Sequence, residues 1–491
     1  MILTAPSLAR PVGRRVAPFR TARVLALAVL ASTAAPSRAD DAPQDPRDWP
    51  NWRGPQQISA SLETGLPETW NPRGGEGGNL LWKRSDLGTR STPVVMRGKL
   101  YVLVRDKPGT ETEGEKVVCV DAATGEQIWQ HRFNVYLTDT PDTRVGWSSV
   151  VGDPATGRVY AQGVCGYFCC LDGDSGKVVW DHSLQEEYGV ITTYGGRTNV
   201  PVVFEDLVLI SAVVVGWGDT PEYDNLARPS HRFMAFDKAT GEIRWLAGTT
   251  ISPPDTTYST PTVAVIDGEA QLIFGGADGQ VWSLQPRTGK VLWHFPLSKH
   301  GLNSSPLVIG DTVYMANGWE NLVGTFKGSI VALDAKLRGD LTGKEKWITY
   351  NILASKSSPI MVDGKLWVID DGAKLFILDP ETGEQVASRI AIGSRMSGSP
   401  LHADGKVYVG AESGQWAILR PTDDGAEFVH KLRLNREEIN GSPIVSHGRI
   451  YLPTSNALYC IGKKDAESAE ITLPETSAET SLGQDPKPAW V

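Results

Sequence analysis

The chain has 491 residues, of which 57 are acidic and 48 are basic, so its formal net charge is −9 at pH 7. An acidic surface disfavours non-specific binding to nucleic acid, and we expect no nucleic-acid partner. The length alone allows more than one domain, so the organisation has to be read along the chain.

Residues 1–39 have the pattern of an export signal. Several arginines precede an apolar run over 24–35, and Ser37-Arg38-Ala39 fits a small-x-small cleavage site. We predict cleavage after Ala39 and a mature protein in the periplasm or outside the cell, with a formal charge of −15 because six arginines are lost. Arg14-Arg15 leaves twin-arginine export open beside the general route. The apolar run is too short to span a membrane comfortably, and we predict no transmembrane segment in the mature chain.

Residues 40–78 are rich in proline and glycine, which predicts an extended N-terminal strap. Residues 79–83 (Asn-Leu-Leu-Trp-Lys) read as a single strand with no neighbours before it. Residues 463–491 are polar, rich in Glu, Ser and Thr, and lack strand periodicity, which predicts a disordered acidic tail.

A short motif recurs eight times between the strap and the tail. Two small or polar residues precede a Pro-hydrophobic pair, and successive copies are 41 to 60 residues apart, which is a period typical of repeat architectures. The anchor positions are Pro93, Val150, Pro201, Pro261, Pro306, Pro359, Pro400 and Pro443, with Val150 replacing the proline in the second copy.

A second sequence motif, a D-x-x-T-G segment followed by a tryptophan, occurs in most repeats. A D-x-x-T-G segment predicts a tight turn, because Asp bonds its own backbone and Gly accepts positive φ. A tryptophan stands four residues after the glycine, where we predict that it packs between neighbouring sheets. These tryptophans are Trp129, Trp180, Trp245, Trp293 and Trp347, and the sixth copy has Ala387 instead.

The strand count predicts how the molecule closes. Four strands per repeat and eight repeats give an all-β, eight-bladed propeller over residues 79–462. Only three strands follow Gly441, so we predict that residues 79–83 supply the fourth strand of the last blade. Such closure removes exposed sheet edges.

These repeats resemble those of pyrroloquinoline-quinone (PQQ) type propellers, a group that includes quinoprotein alcohol dehydrogenases and the BamB-type lipoprotein of outer-membrane barrel assembly. The resemblance covers residues 79–462, and Trp52-Arg53-Gly54-Pro55 is similar to the opening of many secreted propellers of this kind. The lipoprotein carries a lipidated cysteine, whereas no cysteine precedes Cys119 here. Fold alone does not fix function.

For the dehydrogenases the resemblance implies PQQ, a Ca²⁺ held by Glu and Asn, a catalytic Asp and an aromatic floor. The nearest residues by type are Glu320-Asn321 and Trp217-Gly218-Asp219, and neither matches a family motif, so no catalytic or metal-binding residue is assigned. No Cys-x-x-Cys-His segment for covalent haem occurs.

The five cysteines leave alternatives open. Cys169-Cys170 is compared with the vicinal disulfide of the quinoprotein dehydrogenases, and Cys165 with Cys169 would form a hairpin disulfide in an oxidising compartment. Cys119, Cys170 and Cys460 share one position of the repeat, which favours small buried core residues.

The loops that enter each innermost strand meet at one mouth of the central channel of a propeller. The residue three before each anchor is Arg90, Trp147, Thr198, Tyr258, Asn303, Lys356, Ser397 or Asn440, and Arg197 and Arg395 are charged neighbours. No acid occupies this set, which predicts a cationic mouth for an anionic small molecule or a protein partner. The predicted ligand-binding residues are Arg90, Trp147, Arg197, Tyr258, Asn303, Lys356, Arg395 and Asn440. The alternative is that these loops simply vary.

Three functions remain open at this point. The leading hypothesis is a secreted or periplasmic propeller that acts as a monomeric ligand- or protein-binding scaffold without catalysis of its own. The second is a PQQ- and calcium-dependent dehydrogenase that oxidises an alcohol or sugar. The third is a glycan-binding protein with Trp217 and Trp319 as stacking platforms.

Overall fold

The computed structural model describes residues 45–135, 144–189, 200–214, 230–251, 253–464, 471–473 and 477–481. The predicted signal segment 1–39 lies outside these residues. Eight sheets form the body, each with four main antiparallel strands, and all but the last take these four strands in chain order. The fold is the predicted eight-bladed β-propeller. Within each blade, strand 1 is innermost and strand 4 outermost.

The first four blades have the following strands. Blade 1 has Val94–Met96, Lys99–Asp106, Gly114–Asp121 and Gln127–Asn134. Blade 2 has Val151–Asp153, Arg158–Gln162, Tyr167–Asp172 and Val178–Ser183. Blade 3 has Val202–Phe204, Leu207–Val214, Ser230–Asp237 and Ile243–Ile251. Blade 4 has Thr262–Ile266, Glu269–Gly275, Gln280–Leu284 and Val291–Pro296.

The remaining blades follow in chain order. Blade 5 has Leu307–Ile309, Thr312–Glu320, Lys327–Asp334 and Trp347–Tyr350. Blade 6 has Ile360–Val362, Lys365–Ile369, Lys374–Leu378 and Ile390–Ala391. Blade 7 has Leu401–Ala403, Lys406–Gly410, Gln415–Thr422 and Gly425–Arg433. Blade 8 has Ile444–Ser446, Arg449–Pro453, Leu458–Ile461 and, from the N-terminal side, Leu80–Arg84.

Two short strands add to these sheets. Gly339–Asp340 pairs in parallel with strand 4 of blade 4, and Ala60–Ser61 pairs in parallel with strand 1 of blade 7. The helical elements among the described residues are the 3-10 turn Ser85–Leu87 and the α-helix Leu184–Tyr188. No helix in the described part of the chain is both long and apolar enough to cross a membrane.

The predicted closure is confirmed. Leu80–Arg84 pairs antiparallel with Leu458–Ile461, and Trp82 lies opposite Cys460. The sheet of blade 8 therefore joins the N-terminal side of the propeller to its C-terminal side.

The repeated tryptophan packs on the turn of the next blade. The Trp129 ring covers Gly176 so closely that a Cβ on that glycine would lie 2.6 Å from it. The Trp129 Nε1 donates to the carbonyl oxygen of Gly173 in the same turn at 2.9 Å. The same contact recurs between Trp82 and Gly125, Trp180 and Gly241, Trp245 and Gly289, and Trp347 and Gly383. In these five pairs the two motifs are thus the two halves of one joint between blades. Trp293 of blade 4 is different, because its Nε1 donates to Gln271 Oε1 at 2.8 Å and the Gly343 turn of blade 5 has open space beside it.

Blade 6 departs from this joint in another way. Ala387 replaces the tryptophan, and blade 7 lacks a D-x-x-T-G turn, because its strands 3 and 4 meet at Asp423 and Asp424. A Cβ on Gly425 would lie 3.7 Å from the Ala387 side chain. Blade 6 thus lacks the tryptophan, and blade 7 lacks the turn that this tryptophan would cover.

All five cysteines are buried, and none of them forms a disulfide. Cys119, Cys170 and Cys460 each lie between a tyrosine on strand 2 and a tryptophan on a neighbouring strand, for example Tyr101 and Trp129 around Cys119. This is the predicted small core position. Neither alternative disulfide, Cys165–Cys169 or Cys169–Cys170, is formed in the structure.

The residue just before most anchors holds neighbouring blades together around the channel. Its backbone N–H donates to the hydroxyl of the corresponding residue in the next blade at 2.8–3.0 Å. These residues, here called the hydroxyl ring, are Thr92, Ser149, Thr260, Ser305, Ser358, Ser399 and Ser442. Blade 3 has Val200 at this position and therefore no hydroxyl to accept.

The strap enters the channel from the end opposite the mouth. Trp49 exchanges two backbone hydrogen bonds with Val95 on strand 1 of blade 1, at 2.8 and 2.9 Å. Pro50 accepts from the Gly152 N–H of blade 2 at 2.7 Å, and Ser59 accepts from the His402 N–H of blade 7 at 2.9 Å. The channel is therefore filled on that side by residues of this chain.

Arg53 is the fully buried centre of the strap. Its guanidinium donates to the carbonyl oxygens of Pro306 at 3.0 Å and Pro359 at 2.7 Å, and to the Ser59 hydroxyl at 3.0 Å. Burial lowers the pKa of Arg53 to about 9, so the group is still protonated at neutral pH. One side chain thus ties the strap to the entrances of blades 5 and 6.

Two short pieces of the tail are described. Glu479 pairs with Arg287 and accepts from the Ala270 N–H at 2.8 Å, and Thr480 and Ser481 donate to the Gly268 carbonyl oxygen at 3.0 Å. These residues contact the turns of blade 4. The predicted disorder of the rest of residues 463–491 stays a prediction.

Candidate functional site

The described residues three positions before the anchors line one cavity at the channel mouth. It has about 570 Å³ of empty space, including the part open to solvent. Trp52 of the strap also lines it, where the filled part of the channel ends. The other lining residues at this level are Arg90, Trp147, Tyr258, Asn303, Lys356, Ser397 and Asn440. Thr198 and Arg197, the members from blade 3, lie outside the described residues.

The cavity has two chemically different sides. Going round the ring, blades 2 and 4 contribute Trp147 and Tyr258, and the strap contributes Trp52. Blades 5 to 8 and blade 1 contribute an arc of amide, hydroxyl and cationic groups, namely Asn303, Lys356, Ser397, Asn440 and Arg90. A ligand in this cavity would meet an aromatic side and a polar side.

Arg90 joins the two sides. Its guanidinium lies over the Trp147 ring, 5.8 Å from the ring centroid. It also approaches Glu438, with Nη2 and Oε2 3.7 Å apart, and Asn440 Nδ2 donates to the same carboxylate oxygen at 3.2 Å. At 3.7 Å the ion pair is loose, so Glu438 compensates the charge of the Arg90 guanidinium only in part, and Arg90 can still attract an anionic ligand.

Arg395 takes a different position from Arg90. Its side chain is 62 % exposed, pairs with Glu412 at 3.4 Å, and is not among the described residues that line the cavity. Glu412 also accepts from the Ser397 hydroxyl at 2.8 Å. Glu438 and Glu412 thus bring acids beside the mouth, although none occupies the ring positions themselves.

Lys356 is the cation least compensated by acids. Its Nζ lies 3.5 Å from the Ser397 hydroxyl, and it forms no ion pair within 4 Å in the part of the chain that the structure describes. The charge of Lys356 also acts on the half-buried carboxyl of Asp371, whose pKa is raised by burial, while hydrogen bonds from Ser355 and the charge of Lys356 oppose the shift. Asp371 holds the Ser355 hydroxyl at 2.6 Å and so fixes the loop that carries Lys356.

The buried carboxyl of Glu115 supports the aromatic side. Glu115 accepts from the Gly146 N–H and the Val164 N–H, both at 2.7 Å, and Gly146 precedes Trp147 directly. Burial raises the pKa of Glu115 to about 7, and the two backbone hydrogen bonds oppose that shift. Glu115 therefore positions the Trp147 loop and changes protonation near neutral pH.

The described part of the cavity does not offer the ligands of a calcium–quinone centre. Ca²⁺ prefers several carboxylate and carbonyl oxygens, and no Asp or Glu is among the described residues of the lining. Asn321 is used inside its own loop, where Nδ2 donates to the carbonyl oxygens of Phe326 and Gly328 at 3.1 and 3.2 Å. Glu320 lies between Lys299 and Lys327 at 3.9 and 3.8 Å. Trp217 and Asp219 are outside the described residues.

Three features of the site could not be predicted from the sequence alone: the position of Trp52, the hydroxyl ring and the approach of Glu438 to Arg90. Trp52 belongs to a recognisable motif, but nothing in the sequence indicates that it faces the mouth. The hydroxyl ring is visible in the sequence only as small residues before the anchors. Glu438 is not found by taking the residue three positions before each anchor, because that residue in blade 8 is Asn440. Glu438 lies two positions before Asn440 and reaches Arg90 on another blade.

Comparison with known proteins places the chain among similar propellers. The family model described as outer membrane protein assembly factor BamB matches residues 73–146, 113–337 and 301–472, which is more than half of the chain. The curated outer membrane protein assembly factor BamB of Shewanella oneidensis is 20% identical over 431 residues, covering 85% of this chain and 92% of that protein.

Solved structures agree on the fold. The quinohemoprotein alcohol dehydrogenase of Comamonas testosteroni has a TM-score of 0.59 at 15% identity, covering 89% of this chain and 83% of that chain. BamB from Moraxella catarrhalis has a TM-score of 0.52 at 15% identity, covering 74% and 98%. With its eight blades and repeated turn–tryptophan joints, the chain belongs to the BamB-like family of PQQ-like β-propellers.

Proposed function

We propose that this protein is a binding propeller whose mouth holds the anionic group of a ligand or partner, without catalysis of its own. The observation that carries the proposal is the arrangement of the cavity. Lys356 and Arg90 lie on its polar arc, and Trp147, Tyr258 and Trp52 form its aromatic side. Cations at a channel mouth with low-dielectric walls focus a field that attracts anions.

Two further points favour binding over oxidation. The described lining contains no carboxylate to serve as a general base or as a ligand for Ca²⁺. Several curated relatives, among them one that covers 85% of this chain, are named outer membrane protein assembly factors. Both points favour a scaffold that binds a ligand or partner over an enzyme that oxidises a substrate.

A quinoprotein dehydrogenase is the second candidate. A planar polycarboxylate such as PQQ has the charge and the flat face that Arg90, Lys356 and the aromatic side would accept. The dehydrogenase of Comamonas testosteroni has the same fold. This candidate and the binding propeller share the cavity and differ in turnover.

A turnover assay separates the two candidates. Purified protein is supplied with PQQ and Ca²⁺, and dye-linked oxidation of alcohols and sugars is measured. We expect no oxidation above the protein-free background. Oxidation that disappears with a calcium chelator would establish the dehydrogenase and refute the proposal.

The anionic group has two possible sources, which a binding assay distinguishes. Calorimetry with benzene-1,3,5-tricarboxylate tests a small polycarboxylate, and an acidic peptide tests a protein segment. We expect one of them to bind with an affinity that falls as salt rises. If neither binds at low ionic strength, the mouth is not an anion site.

The proposed place of action is outside the cytoplasm. This rests on the pattern of residues 1–39, which lie outside the described residues, and on the curated relatives named for outer-membrane assembly. N-terminal sequencing of protein from the native host should begin at Asp40. An intact Met1 in a cytosolic fraction would contradict export.

A further inference from the structure

The loop between strands 2 and 3 of blade 5 exposes large apolar side chains. Leu322 is 46% exposed, Val323 72% and Phe326 57%, and Trp319 at the base is 40% exposed. Four such residues within eight positions are a concentration that soluble surfaces seldom carry without an interaction. We call residues 319–326 the apolar tip.

Internal hydrogen bonds hold the apolar tip in this exposed form. Asn321 is buried and bonds to Asn317 and to the carbonyl oxygens of Phe326 and Gly328. Lys299 N–H donates to the Glu320 carbonyl oxygen at 3.0 Å, which fastens the base of the loop to blade 4. The exposure of Leu322, Val323 and Phe326 is therefore set by the fold.

Cations flank the apolar tip. Lys299 and Lys327 are about half exposed, and both approach Glu320 at 3.8–3.9 Å. Both ammonium groups stay exposed beside the apolar tip, on a chain whose net charge is −9. His300 lies 5.6 Å from the Trp319 ring and 3.7 Å from Asp255. The base of the tip therefore presents two exposed lysines, with Glu320 and Asp255 as the carboxylates near them.

The apolar tip and the mouth are on the same end of the propeller. Loops between strands 2 and 3 and loops that enter strand 1 leave the sheet at one end, because the strands alternate in direction. Gly318 at the base packs on Ser355, such that a Cβ there would lie 2.4 Å from the Ser355 side chain. Ser355 immediately precedes Lys356 of the mouth.

We propose that the apolar tip inserts into the surface of an anionic lipid bilayer, with Lys299 and Lys327 at the headgroups. The side chains match the layers of a bilayer. The aliphatic and phenyl groups at the tip suit the acyl chains, and the indole at the base and the ammonium groups beside it suit the headgroup region. Charge complementarity selects this occupant, since anionic headgroups match the local lysines. Membrane contact goes beyond the proposed anion binding and would turn the mouth towards the bilayer.

The test uses vesicle co-sedimentation of the full chain. Vesicles of phosphatidylcholine with phosphatidylglycerol should bind the protein, and vesicles of phosphatidylcholine alone should bind it more weakly. The triple variant Leu322→Ser, Val323→Ser, Phe326→Ser should lower the partition coefficient by at least about tenfold. Lys299→Gln with Lys327→Gln should remove most of the preference for phosphatidylglycerol and most of the salt dependence.

A matched control removes exposed apolar groups elsewhere. Val178, Val179 and Phe428 are 42%, 42% and 41% exposed on outermost strands. Their triple replacement by Ser should leave vesicle binding unchanged. Equal loss in the tip and control variants, or no binding of the wild type at low salt, would overturn the proposal.

A label at the tip keeps the test valid if the triple variant folds poorly. Val323→Cys carrying an environment-sensitive dye should brighten with anionic vesicles, whereas Val178→Cys should not. The five native cysteines are buried and should not react. A tip dye that stays dim with vesicles, or a dimer in solution that only the tip variant dissociates, would contradict lipid insertion and indicate a protein surface instead.

Discussion

Arg53 Nη2 donates to the Pro359 carbonyl oxygen at 2.7 Å and joins the N-terminal strap to the entrance of blade 6, 306 positions away in the chain. Replacing Arg53 by Met removes three hydrogen bonds and leaves the Pro306 and Pro359 carbonyl oxygens buried without this donor. We expect the free energy of unfolding to fall by about 2–4 kcal/mol.

Denaturant titration followed by fluorescence measures this loss. The control is Arg73→Met, an exposed arginine of the same strap, which should change stability by less than about 0.5 kcal/mol. Equal effects of the two variants would mean that Arg53 does not hold the strap.

The hydroxyl ring can be tested by comparing two neighbouring serines, one inside the ring and one outside it. Ser358 Oγ accepts the Ser305 N–H at 2.9 Å, whereas the buried Ser357 hydroxyl has no partner among the described residues. Ser358→Ala should destabilise the protein by about 1–3 kcal/mol, because a buried N–H is left unpaired. Ser357→Ala should be neutral or slightly stabilising. Thermal melting of both variants checks the difference, and the reverse order would contradict the ring.

The joint between blades predicts unequal effects at two similar turns. Gly176 has φ +70° and lies under Trp129, whereas Gly343 has φ +72° and open space within 4 Å of the position that an added methyl group would take. Gly343→Ala should cost about 1 kcal/mol from backbone strain alone. Gly176→Ala should cost about 3 kcal/mol, since the methyl also displaces the indole. Urea midpoints that shift equally would show that the tryptophan does not press on the turn.

The buried Glu115 predicts a pH dependence of stability. Its pKa is raised from 4.5 to about 7 in the folded protein. Between these values the unfolded chain releases a proton that the folded protein keeps, so this group's contribution to stability falls as pH rises. The full difference is about 3 kcal/mol. Glu115→Gln should remove it, which is measured as the difference between the stability curves of variant and wild type from about pH 4 to about pH 8. Parallel curves would refute the assignment.

The repeat structure is predictable from sequence because its signals are local. A D-x-x-T-G turn and a tryptophan four residues later identify a blade wherever they occur, and counting strands after Gly441 shows that residues 79–83 have to close the ring. The seven described residues that lie three positions before the anchors line one cavity for the same reason, since their position relative to each anchor fixes the loop they occupy.

The rest depends on contacts between distant parts of the chain. Nothing near Arg53 in sequence indicates that it bonds to Pro306 and Pro359, and the pairing of Arg90 with Glu438 joins blades 1 and 8. The nearness of Arg395 to Ser397 in sequence predicts that it joins the mouth. The structure instead directs its side chain to Glu412 at 3.4 Å, outside the described cavity lining.

The most direct test of the proposed anion site is charge reversal at the mouth. Binding of PQQ, used as a planar tricarboxylate probe, is measured by calorimetry for the wild type, for Arg90→Glu with Lys356→Glu, and for Lys177→Glu with Lys290→Glu at exposed turns on the opposite end. We predict that the mouth variant weakens binding by at least about tenfold and flattens its salt dependence, while the turn variant stays close to the wild type. Equal binding by all three proteins would contradict the account.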